Sequence, residues 1–316
     1  MPDVLFVKTS SLGDVIHQMP ALTEARAKLP DARFTWVVEE AFAPLVRLHP
    51  AVDEVIEVAS RRWRSVLHRP ATWRDLADFA RRLRARRHDR VIDTQGLVRT
   101  GIIARAARGQ RHGYDAESVR EKFAARCYDV QHSVSRGLHA VDRNRRLTGS
   151  ALGYIPEGPL DYGLDRSRLA AGDSPAYAVL LHATARPEKQ WPETRWTELG
   201  ATLVKSHALV IPWGTPAERA RSERLASVLP GARVPERQPL DAVARLIAGA
   251  SLVVGVDTGL LHLAAALGVP LVGIFTASEP GLTGPVGSGR IEIVGGKGAA
   301  PAVPEVLEAA RRTAGP

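Results

Sequence analysis

Short apolar runs and amphipathic stretches alternate along this chain of 316 residues. In the first half, four apolar runs are typical of buried strands in a parallel sheet: 4–7, 34–38, 53–58 and 90–93. Residues 73–87 have apolar positions at helical spacing with arginines opposite, which predicts an amphipathic helix. Helical spacing also follows Asp14, and Pro20 within it predicts a kink or a new helix start.

The second half repeats this order more regularly. Its predicted strands lie at 177–181, 209–211, 251–256 and 270–275. Its predicted helices lie at 192–205, 216–229, 240–248, 260–267 and 303–313. The alternation of strands and helices in both halves predicts parallel sheets with helices on both faces.

Length and composition together predict two domains. A chain of this length exceeds one comfortable core, and residues 153–175 are rich in Gly, Pro and Asp, as linkers are. We therefore predict an α/β fold of two Rossmann-like, doubly wound parallel-sheet domains that face each other across a cleft. The predicted bounds are a first domain over 1–160, a linker over 161–176, a second domain over 177–300 and a C-terminal helix over 301–316.

The charge of the chain is unevenly distributed. Residues 1–150 hold 27 Lys and Arg against 18 Asp and Glu, whereas residues 151–316 hold 16 of each. The whole excess of +9 therefore lies in the first half, which indicates an anionic partner there. That partner could be nucleic acid, an acidic membrane surface or a phosphorylated substrate. The alternative is that arginine-rich helices only solvate a surface.

Two observations bear on the compartment of the protein. The single cysteine, Cys127, cannot form an internal disulfide, which fits a reducing cytosol. The N-terminus lacks the basic and apolar regions of a signal peptide, and no apolar run reaches the roughly 18 residues that cross a bilayer. We therefore expect a soluble or peripheral protein.

Candidate binding residues follow from the predicted strands, because open parallel sheets bind ligands beyond the carboxyl ends of their strands. In the first half, the polar residues at these positions are Thr9, Ser10, Ser11, Asp14, Glu39, Glu40, Asp93 and Gln95. In the second half, the corresponding residues are His182, Thr184, Lys189, Trp213, Gly214, Glu218, Asp257 and Thr258.

The segment Asp257-Thr258-Gly259 ends an apolar strand and opens a helix. The N–H groups and the dipole of such a helix start favour a phosphate, and Gly259 lets a ligand approach the backbone. Asp257 is anionic and therefore suits sugar hydroxyls better. The alternative is that Asp257 or Thr258 only caps the helix. The GxGxxG fingerprint and the P-loop are absent, which argues against dinucleotide dehydrogenases and nucleoside triphosphatases.

Three further residues are candidates for chemistry. Lys189 could neutralise a diphosphate leaving group, or be an ordinary surface lysine. Asp14 could be a general base for an attacking hydroxyl, although Asp at a helix start is also a preferred N-cap. His182 has no second ligand at metal spacing, and no Asp-x-Asp motif occurs, so we expect no metal site.

Basic residues of the first half could hold phosphates or carboxylates of an acceptor, or simply be solvated. The acceptor-side candidates are Ser10, Arg61, Arg62, Arg64 and Arg120.

Six separated segments together resemble the lipopolysaccharide heptosyltransferases, glycosyltransferase family 9. They are VKTSSLGDVIHQMPALTEA, WVVEEAF, VIDTQGLVRT, HATARPEKQWPETRW, PWGTPAE and VDTGLLHLAAALGVP. They occur in the order of the family and span nearly the whole chain. The KTSSLGD segment is more similar to the first heptosyltransferase of the family than to the second.

The resemblance implies a GT-B fold and an inverting transfer of L-glycero-D-manno-heptose from ADP-heptose, without a metal or cofactor. The implied acceptor is the Kdo sugar of Kdo2-lipid A, with Asp14 as the general base. The implied donor contacts are Thr184 and Lys189 to the phosphates, Glu218 to the nucleoside, Asp257 to the heptose hydroxyls, Thr258 and Gly259 to the diphosphate, and His262 in support of that loop. Ala185 stands where the family often has a second threonine, which removes one expected hydroxyl contact.

The implied location is the cytoplasmic face of the inner membrane, where an anionic surface would attract the basic first half. Two rival interpretations remain. One is a related enzyme with another acceptor, such as the second or third heptosyltransferase. The other is a basic nucleic-acid-binding protein, which predicts aromatic stacking positions among the arginines, where Trp63 and Trp73 lie.

Overall fold

The computed structural model describes residues 1–66, 68–170 and 176–314 and divides the chain into two compact units. Unit 1 is Met1–Gly163 and unit 2 is Leu164–Pro316. Part of the predicted linker, residues 171–175, lies outside the described residues. Another part forms a short helix of unit 2, Arg166–Leu169, and Arg166 Nε donates to Ala248 O at 2.8 Å. The predicted domain bounds otherwise stay predictions.

Unit 1 contains one parallel sheet in its described part. Its strands are β1 (Asp3–Val7), β2 (Arg33–Glu39), β3 (Glu54–Val58), β4 (Arg87–Asp93), β5 (Arg108–Tyr114) and β6 (Val130–His132). Its helices are α1 (Leu12–Ile16), α2 (Met19–Lys28), α3 (Ala43–Val46), α4 (Ser60–Ser65), α5 (Pro70–Arg84), α6 (Val98–Ala106) and α7 (Ala140–Leu152). Two 3₁₀ turns lie at Glu40–Phe42 and Lys122–Cys127.

The strands of unit 1 lie in the order β3-β2-β1-β4-β5-β6, the order of a Rossmann sheet. Val7 at the end of β1 pairs with Asp93 at the end of β4. The strand order reverses between β1 and β4, and ligands of doubly wound sheets bind at such a switch point. The loops after Val7 and Asp93 therefore form the expected binding edge of this unit.

Unit 2 has a second parallel sheet in the described residues. Its strands are β7 (Tyr177–Leu181), β8 (Ala208–Val210), β9 (Leu252–Val256), β10 (Leu271–Phe275) and β11 (Ile291–Gly295). Its helices are α8 (Arg166–Leu169), α9 (Glu193–Leu203), α10 (Pro216–Ser227), α11 (Leu240–Ala248), α12 (Gly259–Ala266), α13 (Pro280–Thr283) and α14 (Val303–Ala314). A 3₁₀ turn lies at Pro187–Lys189.

The strands of unit 2 lie in the order β11-β10-β9-β7-β8, so the switch point is between β7 and β9. Leu181 at the end of β7 pairs with Gly255 next to the end of β9. Trp196 of α9 and Trp191, which lies just before this helix, are fully buried in the core of unit 2. Their ring centroids are 5.2 Å apart. The loops after β7 and β9 therefore form the expected binding edge of this unit.

The predicted α/β fold with two parallel sheets is confirmed, and the predicted strands and helices agree with the structure apart from their ends. Pro20 lies in the first turn of α2, so the new helix start is also confirmed. The elements that were not predicted are β5, β6, β11, α3, α4, α6, α7, α8 and α13. β5 has the sequence RGQRHGY, and only its last three residues are buried. No helix in the described residues is long and apolar enough to cross a membrane.

Candidate active site

Three predicted donor contacts come together at the switch point of unit 2. Lys189 Nζ lies 2.5 Å from Asp257 Oδ2, and Ser278 Oγ donates to the same oxygen at 2.5 Å. Thr184 Oγ1 donates to the backbone carbonyl of Asp257 at 2.9 Å. Thr184 and Lys189 follow β7, and Asp257 follows β9, so the parallel register of the two strands brings them together.

The environment keeps Asp257 ionised. Burial alone would raise its pKa, but hydrogen bonds from Lys189 and Ser278, the charge of Lys189 and, last, the charge of His262 lower it overall. The side chains of Lys189 and Asp257 are 19% and 13% exposed, so water screens this ion pair only in part. Asp257 is therefore a carboxylate at neutral pH that can accept hydrogen bonds from hydroxyl groups.

The start of α12 follows directly. Thr258 is its N-cap in an extended conformation, and no capping bond from its side chain is found in the described residues. Asp257 precedes this N-cap, and its Oδ2 accepts from Lys189 and Ser278. The N-cap position thus belongs to Thr258 and not to Asp257. α12 begins at Gly259, and His262 lies buried one turn later.

Glu218 lies at the start of α10, in the region that follows β8. Its Oε2 accepts from the N–H groups of Gly214 at 2.8 Å and Thr215 at 3.0 Å, while Thr215 Oγ1 accepts from Glu218 N at 3.3 Å. These bonds form a capping box. The carboxylate thus has a structural task, and its contact with a nucleoside stays a prediction.

Asp14 lies in the first turn of α1, at the switch point of unit 1. The N-cap of α1 is Ser11, and Asp14 Oδ2 accepts from Ser11 N at 2.9 Å and from Ser11 Oγ at 3.1 Å. The alternative to a catalytic role supposed that Asp14 is the N-cap. Asp14 is instead the acidic member of a capping box. Its side chain is 28% exposed, and Arg120 Nη1 lies 4.0 Å from Oδ2. The carboxylate can be reached by a substrate.

Buried polar residues hold the loop that leads to Asp14. Gln95 Oε1 accepts from Thr9 N at 2.9 Å and from Ser10 N at 3.1 Å. Asp93 accepts from Gln95 N and from the Tyr128 hydroxyl, both at 2.8 Å. Burial raises the pKa of Asp93 against the effect of these bonds. The loop after β1 is thus held by the loop after β4.

Lys8 completes this network. Its Nζ donates to Thr94 O at 2.9 Å and lies 3.4 Å from Asn144 Oδ1. Burial lowers the pKa of Lys8, while the charges of Asp14 and Asp93 act in the opposite direction. The charge of Asp14 thus acts on a buried amine that is hydrogen-bonded to Thr94 O.

The residues predicted to contact the acceptor differ in whether their side chains already form hydrogen bonds or ion pairs within the protein. Ser10 is 5% exposed, and its Oγ accepts from Arg99 Nη2 at 2.5 Å, so its hydroxyl is already engaged. Arg62 forms ion pairs with Glu40 at 3.1 Å and Asp75 at 2.8 Å, and hydrogen bonds to both raise its pKa. Its charge is therefore largely compensated.

Arg61, Arg64 and Arg120 are exposed. The Arg61 guanidinium lies 5.4 Å from the centre of the Phe42 ring, and Arg64 Nε donates to Ser60 O at 3.3 Å. The Arg120 guanidinium lies 4.0 Å from the Asp14 carboxylate. These positions agree with an anionic acceptor, and the contacts themselves stay predictions.

Comparison with known proteins places these two sites in a family. Residues 76–307 match glycosyltransferase family 9 (heptosyltransferase). The chain is 45% identical over 294 residues to lipopolysaccharide heptosyltransferase 1 of Pseudomonas aeruginosa, covering 92% of this chain and 83% of that protein. The chain belongs to glycosyltransferase family 9. It is therefore a glycosyltransferase of the heptosyltransferase type.

Solved structures of this family support the same assignment. The structure of E. coli heptosyltransferase WaaC with ADP superimposes with a TM-score of 0.91 at 39% identity and covers 97% of this chain and 98% of that one. The same enzyme with ADP-2-deoxy-2-fluoro heptose gives a TM-score of 0.88. Lipopolysaccharide heptosyltransferase 2 of E. coli is only 23% identical over 308 residues, which covers 90% of this chain and 85% of that protein. The expected GT-B class is thus confirmed, and the nucleic-acid-binding alternative is wrong.

Several residues that contact the candidate site residues were not predicted from sequence. Lys8 directly follows the first apolar run and is buried, and a charged residue at such a position is itself a signal. Ser278 follows β10, the strand next to β9, and could have been found by extending the search to every strand end. Arg99 had no signal, because its bond to Ser10 depends on tertiary packing. Within the described residues, no three His, Cys, Asp or Glu side chains are placed to hold a metal ion.

Proposed function

We propose that this enzyme transfers L-glycero-D-manno-heptose from ADP-heptose to the Kdo of Kdo2-lipid A, in the synthesis of the lipopolysaccharide inner core. The observation that carries the proposal is the Lys189–Asp257 ion pair beside the start of α12. A cation and a helix N-terminus suit a diphosphate, and a carboxylate suits sugar hydroxyls. Support comes from the relative named lipopolysaccharide heptosyltransferase 1 and from the WaaC structures with ADP and an ADP-heptose analogue.

Unit 2 takes the donor in this proposal. Lys189 and Thr184 hold the phosphates, and the N–H groups at Thr258 and Gly259 face the diphosphate. Asp257 accepts from heptose hydroxyls, His262 supports its loop and Glu218 contacts the ribose. As the bond between heptose C1 and the phosphate oxygen breaks, negative charge grows on ADP. The Lys189 ammonium stabilises that charge, so the proposal needs no metal or cofactor.

Unit 1 takes the acceptor in this proposal. A Kdo hydroxyl attacks heptose C1 while the bond to ADP breaks, and Asp14 accepts the hydroxyl proton. A single displacement of this kind inverts the configuration at C1. Arg120 and the arginines of α4, with Ser10, hold the phosphates and carboxylates of the acceptor. The buried bonds of Gln95 and Asp93 keep the Asp14 loop in one conformation.

The proposed location is the cytoplasmic face of the inner membrane, with the protein bound peripherally. The acceptor is a phosphorylated lipid in an anionic leaflet, and the excess of +9 lies in the first half of the chain. Each basic residue near such a surface contributes about 1 kcal/mol of attraction. The charge asymmetry thus matches the proposed division between acceptor and donor units.

The test is a transfer assay with purified protein, ADP-heptose and two acceptors. One acceptor ends in Kdo, and the other already carries one heptose. We expect mass spectrometry to show one added heptose on the first acceptor only, and NMR to show the inverted anomeric configuration. Transfer only to the heptose-bearing acceptor would assign the chain to a second-type heptosyltransferase. Retained anomeric configuration would exclude Asp14 as a base in a single displacement.

A further inference from the structure

An exposed apolar surface lies beside the candidate acceptor side of unit 1. Val98 and Ile102 of α6 are 36% and 59% exposed, and Phe123 of the 3₁₀ turn is 68% exposed. Large apolar side chains with this exposure are ordinary when they are scattered, but a group of them indicates an interaction surface. The question is whether these three form one group.

Packing between α6 and the turn brings them together. A Cβ added to Gly101 would lie 3.0 Å from Cys127 Cβ and 3.5 Å from Ala124 O, so the turn lies directly against α6. Val98 and Ile102 are four residues apart and therefore share the face of α6 next to Gly101. Phe123 precedes Ala124 on the facing turn. The three side chains thus form one surface, here called the α6 patch.

Basic residues surround the α6 patch. Arg105 extends the exposed face of α6, and Lys122 and Arg126 flank Phe123 on the turn. The Arg126 guanidinium lies 4.9 Å from the centre of the Phe123 ring. Two acidic side chains are near: Glu117 lies 3.6 Å from Lys122 Nζ, and Glu121 accepts from Val98 N at 2.7 Å. With Arg120 included, four basic residues stand against two acidic ones.

The α6 patch is connected to the candidate active site through the backbone. Glu121 N donates to Gly96 O at 3.0 Å, which ties the residue after Arg120 to the loop after β4. Glu121 also accepts a hydrogen bond from the N–H of Val98, the first residue of α6 and of the patch. Arg120 Nη1 lies 4.0 Å from Asp14 Oδ2. Arg120, which precedes Glu121 in the chain, therefore links the edge of the patch to the proposed base.

We propose that the α6 patch docks on an anionic lipid surface, with Val98, Ile102 and Phe123 at the level of the headgroups. The inference rests on the proposed function, because it supplies the surface that would present a lipid acceptor to Asp14. An apolar centre with cations around it complements anionic headgroups above acyl chains. Arg126 stacked on Phe123 keeps its charge at the headgroup level while the ring enters the apolar layer.

The experiment is flotation of the full-length protein with vesicles of phosphatidylethanolamine, with and without phosphatidylglycerol. The double variant Ile102→Ser/Phe123→Ser removes two exposed apolar side chains and leaves the core intact. We expect its partition onto the anionic vesicles to fall about ten-fold. The matched control is Ile155→Ser, which removes an apolar side chain that is 77% exposed in the same unit, and its partition should equal that of the wild type.

A charge variant tests the surface independently. Lys122→Gln/Arg126→Gln should weaken partition about five-fold per charge on vesicles with phosphatidylglycerol. It should have little effect on vesicles without that lipid. The control Lys28→Gln/Arg136→Gln removes two exposed charges of the same unit and should leave partition within about two-fold of the wild type.

Two outcomes would overturn the proposal. One is unchanged vesicle partition in both patch variants. The other is a wild-type dimer in analytical ultracentrifugation that Ile102→Ser/Phe123→Ser dissociates without loss of partition, which would assign the patch to a second copy of the chain. Transfer to a soluble, deacylated acceptor separates this proposal from the proposed function. Both patch variants should keep the wild-type rate there, whereas a failure of the proposed function removes the activity of the wild type itself.

Discussion

The two candidate sites lie at the same place in two similar sheets but are held in different ways. In unit 1, the buried residues Gln95 and Asp93 hold the loop that carries Asp14. In unit 2, a partly exposed ion pair between Lys189 and Asp257 is itself the centre of the site. A proton acceptor needs one precise orientation, whereas a nucleotide must both enter and leave. The difference teaches that rigidity is concentrated where the proposed chemistry needs orientation.

The largest expected effect concerns Asp14. Asp14→Asn should lower kcat about 10³-fold, because a carboxamide cannot accept the proton of the attacking hydroxyl. Asn Oδ1 can still accept from Ser11 N, so the melting temperature should stay the same. Steady-state kinetics at saturating donor and acceptor measure the effect, with the exposed Asp31→Asn as control. Normal turnover of Asp14→Asn would leave this residue with its capping role alone.

The buried network of unit 1 should matter more for stability than the ion pair of unit 2. Asp93→Ala leaves Gln95 N and the Tyr128 hydroxyl without their acceptor, so unfolding in urea should show a loss of about 3 kcal/mol. Asp93→Asn, which keeps one acceptor oxygen, should lose about half as much. Asp257→Asn in the partly exposed site should cost about 1 kcal/mol or less. Equal losses at positions 93 and 257 would refute the contrast in rigidity.

The loss of folding stability at low pH should involve both units, because each contains a buried histidine. Burial lowers the pKa of His49 in unit 1 and of His182 in unit 2 to about 4 in each case. Each therefore contributes stability that is fully present above the unfolded pKa of about 6.5 and is lost as the pH falls towards 4, because only the unfolded state takes up the proton. The loss is about 2 kcal/mol per histidine by pH 5.

His182→Gln keeps a partner for Ser222 Oγ, which lies 2.8 Å from His182 Nε2, and removes the titration. The difference in unfolding free energy between pH 7.5 and pH 5 should shrink by the contribution of one histidine. The exposed His68→Gln serves as control. An unchanged pH dependence of His182→Gln would show that this side chain is not neutral in the folded protein.

The smallest expected effect separates two arginines of unit 1. Arg120 lies near Asp14, while two carboxylates already compensate Arg62. Arg120→Gln should raise the KM for the acceptor about five-fold, since exposed charge contacts contribute about 1 kcal/mol. Arg62→Gln should change it less than about two-fold. A larger effect at Arg62 would mean that the acceptor displaces its acidic partners.

Sequence patterns predicted β7, β9 and β10 because these strands are apolar and buried along their whole length. β7 and α11 were predicted to the residue. β5 and α7 were missed, because their burial depends on neighbours: Gly113 packs where a Cβ would lie 2.3 Å from the Tyr128 ring. Such contacts join distant segments and leave no periodic pattern in either one.

The candidate site was predicted in part for a similar reason. Thr184, Lys189 and Asp257 follow strand ends, and a parallel sheet brings such positions together. Sequence could not predict that Ser10 binds Arg99, or that Arg62 pairs with Glu40 and Asp75. Such side-chain pairs join distant segments, and no regular spacing in the sequence indicates them. Sequence thus indicated where the sites lie better than which groups are free in them.

We propose that unit 2 binds the donor and unit 1 binds the acceptor. Calorimetric titration of ADP into two variants tests this assignment directly. Lys189→Ala should weaken ADP binding about ten-fold, because it removes the cation that we propose for the diphosphate. Asp14→Asn should bind ADP within about two-fold of the wild type, since Asp14 lies in unit 1, which we propose takes the acceptor. Unchanged ADP affinity in Lys189→Ala, or a loss of ADP binding in Asp14→Asn, would contradict the account.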